Sequence, residues 1–191
     1  MDTVLNFWPL ILLIVIALMT VTMYNRLIAL RQSRNNAFSD IDVQLRQRYD
    51  LVPQLVETVK GYAAHEKTTF ENVTQARAAV GKATGSGEGR MQAEGMLGSA
   101  LMSLFAVAEN YPQLKADQNF QQLMAELSDI ENKIAAARRF FNSATNEYNT
   151  VVQQFPSNLI AGVFNFKTEP FFEIEEHLKD AVKTAPDVKF T

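Results

Sequence analysis

Apolar residues fall in three rhythms along this 191-residue chain, and each predicts a different kind of helix. From Phe7 to Tyr24 no side chain is charged, and Leu10 to Met19 is wholly aliphatic. At a rise of about 1.5 Å per residue this run spans roughly 27 Å, close to the hydrocarbon thickness of a bilayer. Phe7, Trp8 and Pro9 at one end, and Tyr24, Asn25 and Arg26 at the other, suit two membrane–water interfaces. Residues 1–25, with Phe7, Trp8, Leu10, Ile14, Leu18 and Tyr24, are therefore predicted to form a single transmembrane anchor. Two other readings fit less well. A cleavable signal would open on positive charge, whereas the early side-chain charge here is Asp2, and Thr22-Met23-Tyr24 is a poor cleavage site. A buried core helix would seldom keep apolar groups on every face for so long.

The second rhythm is the spacing of three and four. Phe38, Ile41, Leu45, Tyr49, Val52, Val56, Val59 and Ala63 form one helical stripe. Pro53 falls inside it and would clash with the Tyr49 carbonyl, which predicts a kink or a restart capped by Asp50. The helix is expected to continue to about Val80. Gly81, Gly85, Ser86, Gly87 and Gly89 then predict a flexible loop, followed by a helix from Arg90 to Asn110 that Tyr111-Pro112 closes.

The third rhythm is a strict heptad: Leu127, Ile130, Ile134, Ala137, Phe141, Ala144, Tyr148, Val151 and Phe155. Asp117 is placed to cap this helix and Pro156 to stop it. An apolar seam of coiled-coil period is first a bundle core; any part left open becomes an oligomer interface. The fold class is thus all-α: the anchor, then an elongated antiparallel bundle of three to four long helices over residues 26–175. Phe164, Phe166, Phe171 and Phe172, punctuated by Gly162 and Pro170, are expected to lie as an aromatic cap across the bundle end. Glu173 to Asp180 suits one short helix, and residues 176–191 read as an acidic, flexible tail.

Charge adds orientation. No Lys or Arg precedes the apolar run, and Arg26, Arg31 and Arg34 follow it, which favours a cytoplasmic body on a single-pass membrane protein. Basic residues outnumber acidic ones from Tyr24 to Arg90, and the balance reverses from Met91 to Phe155. Neighbouring helices can attract on that pattern, whereas a nucleic-acid binder would concentrate its basic charge on one face. With no cysteine there is no disulfide and no thiolate metal site.

Candidate chemistry is thin. His65-Glu66-Lys67-Thr68-Thr69 begins like a zinc-protease helix, but Thr69 stands where the second histidine ligand belongs. The glycine-rich segment around Lys82 lacks the order of a phosphate loop. Asp40 with Asp42, and Asp129 with Glu131, diverge by about 200° on a helix and converge on nothing. Asp42 with Arg46 reads as an i,i+4 pair. Arg138, beside the seam, is expected to reach an acidic partner on the adjoining helix, such as Asp42 or Asp50, and form a buried ion pair, with contact to an anion or phospholipid head group as the alternative. No catalytic residue, metal, cofactor or small-molecule substrate is expected.

Two blocks carry a resemblance. Tyr24-Asn25-Arg26-Leu27 through NNAFSDIDVQLRQRYDLVPQLVETVKGYAAHE, and RRFFNSATNEYNTVVQQFPSNLIAGVF from Arg138 to Phe164, resemble the two motifs of the LemA family, and the similarity covers about residues 3–175. Phe38 stands where a Trp is frequent in that family and Asn165 where a Gly is frequent. The resemblance implies a single-pass membrane protein with a helical body and no catalytic residues to carry over. It also implies relatives associated with membrane-bound organelles, or with envelope and membrane-protease settings. The expected partners are the lipid bilayer, a second copy of the chain and another membrane protein. The expected role is a self-assembling or docking scaffold, with an adaptor for a membrane protein such as a protease as the alternative.

Overall fold

The structure is a computed structural model that describes residues 7–83 and 88–172. Among these residues every regular element is helical: α1 (Trp8–Lys60), α2 (Lys67–Lys82), α3 (Glu88–Glu109), α4 (Pro112–Lys115), α5 (Gln118–Gln153) and α6 (Ser157–Val163). The chain divides into two compact units, residues 1–41 with 137–171 and residues 42–136 with 172–191. The short helix expected over Glu173–Asp180 and the acidic tail lie outside the described residues, as does most of the glycine loop.

In the first unit, α1 opens with the apolar run. From Phe7 to Met19 every side chain is exposed. Thr20 donates to the Ile16 carbonyl at 2.8 Å and Thr22 to the Met19 carbonyl at 2.9 Å, so neither hydroxyl needs water. A helix both apolar and exposed on all faces is suited to lipid. Burial starts at Leu27, and the second half of α5 packs antiparallel to α1 here, with Phe38 edge-on to Phe141 at 5.8 Å.

In the second unit, α1 runs through Pro53 to Lys60 without the expected restart. A proline in a helix interior costs about 3 kcal/mol. Leu51, Val52, Leu55 and Val56 are all buried around it, and at about 1.5–3 kcal/mol each they outweigh that cost. Asp50 caps nothing there; its carboxylate accepts from Arg46 Nε at 3.4 Å.

The expected continuation to Val80 is corrected: α1 stops at Lys60. Glycine lowers helix stability at position 61, and the Tyr62 and Ala63 amides both bond the Val59 carbonyl in a tight turn. Reversal lets α2 bury Phe70, Val73, Ala76 and Val80. Lys60 Nζ stands 5.9 Å from the Phe70 ring, and the Arg77 guanidinium 3.9 Å over the Tyr49 ring, so α2 runs antiparallel to α1. Gly81 permits the approach, because a Cβ there would meet Tyr49 Oη at 3.0 Å. Helix α3 runs parallel to α1, with Arg90 against Asp42 and Glu94 against Arg48. Helix α5 runs antiparallel, with Asp117 against Tyr62 and Glu131 against Arg48. The result is an up-and-down four-helix arrangement, as the periodicity predicts.

Asp117 caps α5 as expected, accepting from the Phe120 amide at 2.9 Å and from Tyr62 Oη at 2.9 Å. The Phe120 amide first, then the Tyr62 hydroxyl, hold its carboxyl below the usual carboxylate range. Its contribution is therefore present above the ordinary carboxylate pKa and lost as pH falls through the lowered one. Tyr62 is raised, chiefly by the same hydrogen bond; its contribution is present below the ordinary tyrosine pKa and lost as pH rises through the raised one. Asp117→Ala should flatten both limbs of a stability–pH profile, measured as thermal unfolding in detergent.

Candidate functional site: an anchor helix seated on an aromatic cap

The first unit brings the end of the apolar run onto the aromatic cap. The Tyr24 ring lies 4.8 Å from that of Phe164 and 5.8 Å from that of Phe166. Beneath them Leu27, Tyr148, Val151, Val152, Ala161 and Phe166 form one buried cluster, with Tyr24, Ile28, Leu30 and Ile160 packed against it. Burial pushes the Tyr148 phenol up, helped by Glu169 and opposed by Arg31 and Arg34.

Local chemistry builds this corner. Helix α5 ends at Gln153, and the Ser157 hydroxyl sits 2.6 Å from the Val151 carbonyl, in the last turn of the helix, and 2.8 Å from that of Gln154, which also accepts the Asn158 amide. Helix α6 ends in a Schellman motif: Phe166 N bonds the Ala161 carbonyl at 2.9 Å, and Asn165 N bonds the Gly162 carbonyl at 3.3 Å. Asn165 holds the left-handed φ of 57° that this motif requires. Asparagine at a position where glycine is frequent thus keeps the turn, because its short polar side chain tolerates that conformation. Asn165→Gly should unfold within about 1 kcal/mol of the parent chain and Asn165→Val about 1–2 kcal/mol below it, by thermal melts.

After the cap, the chain is clamped to α1 and α5. Asn149 makes a reciprocal pair with the Glu169 backbone, donating from Nδ2 to the carbonyl at 2.9 Å and accepting the amide at 2.8 Å. Arg34 is buried, donates to the Pro170 carbonyl at 3.2 Å, lies 3.5 Å from the Glu169 carboxylate, and sits over the Phe141 ring at 4.7 Å. Arg31 lies over the Phe166 ring at 5.3 Å.

The predicted residues separate accordingly. Phe164, Phe166 and Tyr24 come together; Phe171 and Phe172 follow the clamp, Phe172 buried and Phe171 partly exposed. Of the seam, Leu127 and Ile134 are buried in the second unit, and Phe141 and Tyr148 in the first. Phe155 leaves the buried seam: it is 75% exposed, because α5 has ended and the heptad no longer applies, so of its two expected roles only that of an interface residue is compatible with its position. The pairing of Asp42 with Arg138 as a buried ion pair is corrected as well. Asp42 is more than half exposed and meets Arg90 at 3.2 Å, while Arg46 turns to Asp50. His65 is exposed in the turn before α2, not on a helix.

The sequence reading missed the true buried pair, in the second unit. Arg48 NH2 lies 2.6 Å from Glu94, with side chains 3% and 0% exposed, and NH1 lies 2.8 Å from Glu131. Arg90 closes the network from Nε to Glu94 at 2.8 Å. Burial, the largest single influence, works against the Arg48 charge, but Glu131 and Glu94 together outweigh it and raise its pKa. The signal was present: Arg48 lies three after Leu45 and four before Val52, and Glu94 three before Leu97, so both interrupt apolar stripes. Among the described residues no three His, Cys, Asp or Glu side chains gather as metal ligands. A cleft of about 150 Å³ at Met23, Arg26, Phe155, Pro156 and Ser157 opens beside the anchor.

The LemA family profile matches residues 37–190. Among curated proteins, magnetosome proteins MamQ 1 and MamQ 2 of Paramagnetospirillum magneticum are each 25% identical over 175 residues, covering 78% of this chain and 64% of the relative. Protein LemA of Metamycoplasma hominis is 24% identical over 152 residues, covering 80% and 69%. The chain thus spans a little under two thirds of the length of the MamQ relatives. With a profile matched over most of its length behind an apolar, membrane-compatible helix, the chain belongs to the LemA family.

Proposed function

We propose that this protein is a non-enzymatic, single-pass scaffold of the bacterial inner membrane, which holds its helical body at the bilayer and self-associates or docks a partner there. One observation carries the reading: no linker separates the span from the fold. Tyr24, the last residue of the apolar run, already packs on Phe164 and Phe166, and Leu27 is fully buried three residues later. A tethered enzyme gains reach from a flexible linker, whereas a scaffold gains from a surface held at a set height. The MamQ relatives, named as magnetosome proteins, agree with a component of a larger assembly.

The arginines after the span favour a cytoplasmic body. That bias acts during insertion, before Arg34 meets Glu169, so the later burial of Arg34 does not weaken it. A reporter fused after Thr191 should be active only in its cytoplasmic form.

Cross-linking in native membranes tests the scaffold. Photo-reactive residues at exposed Met102 should give discrete higher-mass species, and a strictly monomeric chain with no stable partner would sink the proposal. The adaptor reading draws support from Phe164 and Phe171, the cap members left exposed. Phe171→Ser separates the two, since it alters the exposed ring while sparing the Arg34 clamp and buried Phe172. Lost partner capture with intact self-assembly favours the adaptor.

A further inference from the structure

The corner formed by α6 leaves an apolar face uncovered beside the membrane span. Leu159 is 60% exposed and Val163 79%, one helical turn apart on one side of α6. Ser157 and Ala161 are buried, each about 200° around the helix from the exposed residue two positions on. Phe155 and Phe164 flank the helix and extend the same exposed apolar surface. No charged side chain occurs between Tyr148 and Phe166.

The level of this face is set by contacts within the first unit. Phe155 and Pro156 share a cleft with Met23 and Arg26 of α1, and Phe164 packs on Tyr24. Those α1 residues mark the end of the apolar run. A run of roughly 27 Å fills the hydrocarbon layer, which puts Met23 and Tyr24 at the headgroup boundary. Everything packed sideways against them stands at the same depth.

Resting on the membrane-anchor reading above, we propose that the exposed face of α6, with Phe155 and Phe164, is seated in the headgroup–acyl boundary of the bilayer that α1 spans. The corner is then a second, interfacial contact with the same leaflet. Leu159 and Val163 enter the acyl region, aromatic rings sit at the boundary, and Arg26 reaches the phosphates from the rim of the cleft. The bilayer is the occupant because the face is continuous with the lipid-exposed surface of α1 and carries no charge to desolvate. Two contacts also fix the azimuth of α1 about its own axis, which a single span leaves loose.

The chain contains no cysteine, so single-cysteine variants give clean spin labels. Leu159→Cys, Val163→Cys, Phe140→Cys and Ile14→Cys would be made in the full chain, labelled with a nitroxide and reconstituted in phosphatidylcholine–phosphatidylglycerol vesicles. All four side chains are largely exposed, so the labels disturb no buried contact. Phe140 is the control: it is equally apolar and exposed, but lies about 20 Å back along α5. Labels at 159 and 163 should show an oxygen-to-nickel-chelate accessibility ratio severalfold above that at 140, and a depth shallower than at 14. Nickel access at 159 and 163 equal to that at 140, with 14 protected, overturns the proposal and leaves the anchor standing. Free nickel access at 14 overturns the anchor, and this proposal with it.

Discussion

Replacing Glu94 with leucine lowers the stability of the chain by about 3 kcal/mol, read as an earlier unfolding midpoint in detergent. The reason lies in what stays behind. Arg48 keeps its buried position, but of its two carboxylates only the partly exposed Glu131 remains, and the guanidinium group loses its shortest ion pair, 2.6 Å. Breaking a buried pair from one side typically costs about 3–5 kcal/mol, because the survivor is a desolvated charge without compensation. Glu131 places the loss at the low end of that range. Arg90 loses Glu94 as well, but keeps Asp42 and the Ala83 carbonyl. The double variant R48M/E94L should recover most of the loss, since neither buried charge then remains. A double variant as unstable as the two single losses summed would show that the network is not coupled as described.

Arginine at both Ile14 and Val15 moves the chain from the membrane pellet to the soluble or degraded fraction after carbonate extraction. Each arginine at the centre of a span costs about 2.5–3.5 kcal/mol on the insertion scale, so the pair opposes insertion by about 5–7 kcal/mol. Both side chains are exposed, so the folded unit itself loses no buried contact. Ile14→Leu, which leaves hydropathy unchanged, should stay in the pellet. Retention of the double arginine chain would mean that something other than this helix holds the protein to lipid.

Helix existence was legible because burial follows the stripes almost residue by residue: Ile41, Leu45, Val52 and Val59 on α1, and Leu127, Ile130, Ile134, Phe141 and Tyr148 on α5, are all buried. Endings were less legible, since they depend on tertiary reward. The stripe runs on to Ala63, yet the chain turns at Gly61 because reversal buries the face of α2. The heptad runs on to Phe155, yet α5 has closed at Gln153 with the Ser157 hydroxyl on the Val151 carbonyl. Aromatic density singles out Phe164 and Phe166 in the sequence, but their seat on Tyr24 is not legible there, because it needs the α5–α6 corner. The inward positions of Arg34, Arg48 and Glu94 do not show in a stripe defined by its apolar members. Their spacing alone placed them inside.

Leu27, Arg34, Ile41, Arg48 and Leu55 recur every seven residues along α1, and all five are buried. Aliphatic and cationic residues therefore alternate with a period of fourteen. Axial slip of α1 by one heptad, the error to which repetitive helices are prone, would bring both arginines to aliphatic berths and two of the three aliphatic residues to a carboxylate. Glu94 and Glu169 would be stranded together. Only a shift of two heptads, about 21 Å, restores the match, and by then the ends of the helix no longer coincide. The two arginines thus act as teeth that fix the register of a helix whose hydrophobic pattern alone would permit several.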